Sequence, residues 1–206
     1  MLLRPSIATA PDTIVGVSPV LFDLPLLPHP ERPHPARVNF RVQGRASGKH
    51  VLLRYVLQAP SLHALRWPEP QTPGPADGLW QHTCFEAFVG TPDNEAYQEF
   101  NFSPSGQWAH YRFARERQRD RDAECNAALL APAITCTRPT AERFCLEATL
   151  DTRDWPQHPD GWTLGLSAVL ETTDGQISHW ALLHPRTEPD FHHPAARAWR
   201  WMPPTL

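Results

Sequence analysis

Apolar and polar residues alternate with a period of two along much of the chain. From Arg37 to Gln43, Val38, Phe40 and Val42 fall on one side and Asn39 and Arg41 on the other, which predicts a half-buried strand. His50 to Gln58 predicts a second strand, with Gly44 to Gly48 as the turn between them. The same reading predicts strands at Leu79–Val89, Tyr97–Phe102, Gln107–Phe113, Ala133–Arg138, Phe144–Leu150, Thr163–Leu170 and Gln176–Leu183. Asp174-Gly175 marks a hairpin turn between the last two. Helical periodicity is nearly absent and no fixed repeat occurs. The fold class that follows is all-β: a two-sheet β-sandwich of immunoglobulin-like or jelly-roll type.

Composition sharpens this picture. The chain has 206 residues, enough for one domain with an extension, and 24 of them are prolines. Proline cannot sit inside helices or central strands, so this many imply long loops between short elements. Eight fall in residues 1–35, which predicts an extended arm with one edge strand, packed on a body spanning 36–206. Five more lie in the predicted loop 59–78, long enough to serve as a rim or functional element. Residues 114–124 (ARERQRDRDAE) are a charge run, expected as a solvated loop or short helix.

Charge and motifs exclude several functions. A formal net charge of −3, with Lys49 the single lysine, gives no basic field for nucleic acid. No apolar run approaches the roughly 20 residues of a membrane span. The opening residues MLLRPSIATAPDTIVGVSPV lack an uninterrupted apolar core, so a cytoplasmic address is expected. The cysteines 84, 125, 136 and 145 form no C-x-x-C pair, and Cys84 and Cys145 lie in strand-like runs, so buried free thiols are expected. No nucleophile elbow or phosphate loop is present, and no residue is assigned a catalytic role.

The hairpin at 97–113 carries the candidate chemistry. Ser103-Pro104-Ser105-Gly106 suits a type I turn. With Ser103 opposite Gly106, Asn101 faces Trp108, Glu99 faces His110 and Tyr97 faces Arg112. Phe100, Phe102, Ala109, Tyr111 and Phe113 then make the core face. In the neighbouring strand Trp80, His82 and Glu86 share a side. One face is therefore expected to gather Trp80, His82, Glu86, Glu99, Asn101, Trp108, His110 and Arg112, with Trp180 as a second aromatic platform. Indole faces beside carboxylate, amide and guanidinium groups suit a sugar. Two readings of the face stay open: a ligand site, or a second core layer covered by the proline-rich arm or tail.

The stretch LWQHTCFEAFVGTPDNEAYQEFNFSPSGQWAHYRF, residues 79–113, resembles the bacterial DOMON-like proteins, which are related to family 9 carbohydrate-binding modules. FCLEATLDTRDW at 144–155 and ISHWALLHPRTEPDFHHP at 177–194 support the resemblance. It implies a β-sandwich that binds a sugar or haem. In the sugar-binding relatives two tryptophans sandwich the ligand beside a glutamate and an arginine, roles that Trp80, Trp180, Glu86 and Arg112 match by type. Three functions compete: carbohydrate binding with a sugar or glycan as partner, a protein-interaction domain without a small ligand, and a haem or divalent-metal site. For the last, His82, Glu86, Glu99 and His110 offer two imidazoles and two carboxylates, while Met1 and Met202 are the only methionines.

Overall fold

The computed structural model describes residues 19–127 and 130–202; the first half of the predicted arm lies outside them. The strands are β1 (Phe22–Pro25), β2 (Leu27–Pro28), β3 (Asn39–Ser47), β4 (His50–Gln58), β5 (Gly74–Pro75), β6 (Cys84–Gly90) and β7 (Tyr97–Phe102). They continue as β8 (Gln107–Arg115), β9 (Gln118–Arg119), β10 (Ala133–Thr140), β11 (Arg143–Asp151), β12 (Trp162–Glu171), β13 (Ile177–Ala181) and β14 (Trp199–Trp201). One short helix, α1 (Arg121–Asn126), starts at Asp120, whose carboxylate caps the Ala123 N–H.

Two sheets form. The first runs β1-β3-β4-β11-β10, and the second runs β2-β13-β12-β6-β7-β8-β5, with β14 beside β12 and β9 beside β8. All pairs are antiparallel except β5 with β8. This is the expected all-β sandwich. The core lies between the sheets, where inward positions such as Phe40, Val42, Leu53 and Leu57 of the first sheet meet Phe85, Ala87, Leu164 and Leu166 of the second. Alternation sets that division, because a period of two sends every second side chain to one face.

Two details depart from the sequence reading. The first hairpin turn is tighter: Ser47 pairs with His50, leaving Gly48 and Lys49 as the loop, and Gly44 sits within β3. The segment Leu79–Val89 is a strand only from Cys84, since Leu79–Gln81 forms one 3-10 turn entered through Gly78 in the left-handed region.

Residues 22–28 bridge both layers. Phe22 pairs with Gly44 on the first sheet, whereas Leu27 pairs with Ala181 on the second, and the buried Leu26 marks the crossing. Phe22 lies over Gly44 because nothing else leaves room. A Cβ at Gly44 would come 2.1 Å from the Phe22 ring, itself packed 5.5 Å from Trp201. Gly44→Ala is therefore expected to displace that ring and destabilise the fold by about 1–3 kcal/mol. Thermal unfolding would show this as a drop of roughly 2–4 °C per kcal/mol; an unchanged midpoint would show that Phe22 is not fixed there.

Candidate functional site

The site is built by the register of β7 and β8. Ser103 N–H donates to the Gln107 carbonyl at 2.9 Å, and Gly106 N–H donates to the Ser103 carbonyl at 3.0 Å. The second bond closes the expected turn. Gly106, at φ +93°, then adds one further residue before the ladder resumes. Glu99 consequently pairs with Tyr111 and Phe102 with Trp108. A one-residue offset sends every β8 side chain to the other face.

This corrects the expected shared face. Glu86, Glu99 and Asn101 do share the outer face of the second sheet, joined by Tyr97, Tyr111 and Phe113 rather than by Trp108, His110 and Arg112. Those three lie on the opposite face. Trp108 is buried beside β5. His110 stacks on Phe100 at 4.2 Å and donates from Nε2 to Gln98 at 2.9 Å. Burial, aided by the Arg112 charge, drives the His110 pKa down to about 4. Arg112 pairs with Asp154. Trp180 also points inward, 2% exposed, with its ring 6.1 Å from Phe40 and its indole N–H on Ser178.

Trp80 and His82 arrive from outside the sheet. The 3-10 turn presents Trp80 at the rim, 42% exposed, edge-on to Tyr111 at 5.9 Å. His82 anchors that turn: its Nδ1 meets Glu171 Oε2 at 2.7 Å, while Arg66 meets Oε1 at 2.9 Å. The four groups offered for a metal therefore do not converge, because His110 lies across the sheet and His82 is held by Glu171.

Sequence reasoning leaves a covering by the tail open and treats His192, His193 and Asp190 only as a second metal set, without assigning the rest of the face. The tail brings Phe191 and His192 over it, and the charge run brings Arg117 and Arg119. Arg117 pairs with Asp190 at 2.8 Å, tying the charge run to the tail. Arg119 pairs with Glu124 at 2.7 Å and lies 4.2 Å over the Tyr111 ring. Tyr97 accepts from Arg117 N–H at 3.2 Å, and its hydroxyl reaches His192 Nδ1 at 2.8 Å. Burial drives the His192 pKa down to about 4, so the ring is neutral near pH 7.

Between Trp80 and Phe191 a cleft of about 390 Å³ remains, with Glu86 and Glu99 at its base. Among the described residues neither tail nor arm fills it. Glu99 accepts from Asn101 at 2.8 Å, and Glu86 Oε2 accepts weakly from Ser167 at 3.4 Å. Glu86 Oε1 is buried with no partner among the described residues. Burial, with the Glu99 charge behind it, pushes the Glu86 pKa well up. Burial also pushes Glu99 up to about 7, against the Asn101 hydrogen bond and the Arg119 and Arg117 charges. Two carboxyl groups both pushed toward their protonated form can donate as well as accept, which fits neutral hydroxyls better than a fixed cation.

All four cysteines are free, Cys84 and Cys145 buried and Cys125 and Cys136 exposed. Among the described residues no helix is long and apolar enough to cross a membrane.

No family model matches the sequence, and no curated protein matches it. Several solved structures match the fold. A family 9 carbohydrate-binding module of Caldicellulosiruptor kristjanssonii, solved with glucose, gives a TM-score of 0.52 at 8% identity, covering 94% of this chain and 85% of the module. One from the same organism, solved with cellotriose, gives 0.51 at 7%, covering 84% and 75%. A candidate carbohydrate-binding protein of Bacteroides uniformis gives 0.51 at 16%, covering 84% and 83%. This chain has the fold of family 9 carbohydrate-binding modules.

The carboxyl pair sets a pH dependence. Glu99 has a folded pKa raised above its ordinary 4.5. Its contribution to stability is present below about 4.5 and lost as pH rises through about 7. Glu99→Gln removes that loss. The variant is expected to gain on the parent between pH 4.5 and 8, by about 1–3 kcal/mol at the upper end. Thermal melts across this range check it, and a difference independent of pH would contradict the raised pKa.

Proposed function

We propose that the chain binds a neutral carbohydrate in the cleft between Trp80 and Phe191. One observation carries the reading: Glu86 Oε1 is buried without a partner among the described residues at the base of an aromatic-walled cleft. A buried polar atom left unpaired costs free energy, and a ligand hydroxyl would remove that cost. Sugar C–H faces would pack on the Trp80 indole, while Glu86 and Glu99 would fix the hydroxyls. Tyr111 buttresses Trp80 from one edge, so the indole is held ready rather than ordered on binding. The fold shared with modules solved with glucose and cellotriose supports the same reading.

Arg117 and Arg119 are paired with Asp190 and Glu124, so they close the cleft wall without offering a free cation to an anionic ligand. His179, facing the cleft from β13, has its pKa lowered by burial and so stays neutral near pH 7.

Isothermal titration with glucose and with cellotriose tests the proposal. Saturable binding is expected, weakened at least about tenfold, or 1.4 kcal/mol, by Trp80→Ala. That substitution removes an exposed ring, so the melting temperature should hold. Absence of heat with both sugars, or full affinity in Trp80→Ala, would overturn it.

A further inference from the structure

We infer that the groove on the far side of Trp80 is a second sugar subsite, making the ligand a neutral glycan of at least two units. The inference rests on the cleft being a sugar site. Trp80 lines two cavities at once: the cleft above Glu86 and a groove of about 630 Å³ between the loop before it and the turn at Ser103–Gln107. Its indole is therefore the ridge between them. A single sugar unit would use one cavity and leave the other side of this exposed ring wet.

The groove is made rigid by the loop that sequence reading singled out as too long to be idle. Pro68, Pro70, Pro73 and Pro75 stiffen it. Gln71 N–H bonds to the Ser105 carbonyl at 2.8 Å, Ala76 N–H bonds to the Trp108 carbonyl at 2.8 Å, and β5 pairs with β8. The loop is stitched to the hairpin turn, and the groove between them is preformed.

Its lining has the chemistry of a hydroxyl binder. The Gln81 and Glu69 side chains have no hydrogen-bond partner among the described residues, and the Gln107 side-chain amide donates no bond there. These are free donors and acceptors beside an aromatic ridge. Glu69 and Asp77 are the carboxylates of the groove, and Asp77 is held below the usual carboxylate range by the Tyr111 hydroxyl. Their charge disfavours an acidic glycan, which selects the neutral class.

Titration of the full chain with glucose and with cellotriose, repeated on Gln81→Ala/Gln107→Ala, tests the subsite. Cellotriose is expected to bind at least about tenfold tighter than glucose. The double variant should bring that ratio down toward one, with the melting temperature retained as evidence of folding. Equal affinities in the parent, or a ratio unchanged in the variant, would overturn the subsite while leaving the cleft as a sugar site. Absence of binding to either sugar would overturn both.

Discussion

The bond from Ser103 N–H to the Gln107 carbonyl decides what this sheet presents to solvent. It exists because Gly106 adopts a left-handed conformation that other residues reach only with strain. Had the ladder resumed one residue sooner, Trp108, His110 and Arg112 would stand over Glu99, and Tyr111 and Phe113 would enter the core. Instead Phe113 stacks on Tyr97 at 4.7 Å and Tyr111 backs Trp80. The three displaced residues serve the inner side, where His110 stacks on Phe100, Arg112 pairs with Asp154 and Trp108 lies beside β5.

The outer face that results holds carboxyl groups where a plain surface would not. Glu86 and Glu99 are 2% and 5% exposed, and each resists ionisation because water is excluded around it. Such groups stabilise nothing by themselves. What excludes the water is brought from elsewhere in the chain: Phe191 and His192 from the tail, Trp80 from the turn clamped at Glu171. The proline-rich loop and tail thus act as walls. Arg117 on Asp190 fastens the two longest-range pieces together, and Arg186 reaches the same carboxylate at 2.7 Å.

Much of the fold was legible from residue order. Alternation located β4 and β7 to the residue, and the sandwich followed from the number of short apolar runs. Glu86, Glu99 and Trp80 were legible as candidates because an acid amid apolar neighbours stands out. The face of β8 was not, since the turn was read at the right residues but the extra glycine residue was not counted. Trp180 read as a platform because alternation separates the two faces without saying which is covered, and β13 proved to be flanked by β2 and packed on Phe40. The places of Arg117, Phe191 and His192 carried no local signal, because they depend on ion pairs and packing between residues 73 and 95 positions apart.

A crystal soaked with cellotriose would test the face assignment most directly. Density is expected on the Trp80 indole, between it and Phe191, with a hydroxyl within hydrogen-bond distance of Glu86 Oε1. Density over the Trp108, His110 and Arg112 side of the sheet, or a sugar that leaves Glu86 untouched, would contradict it.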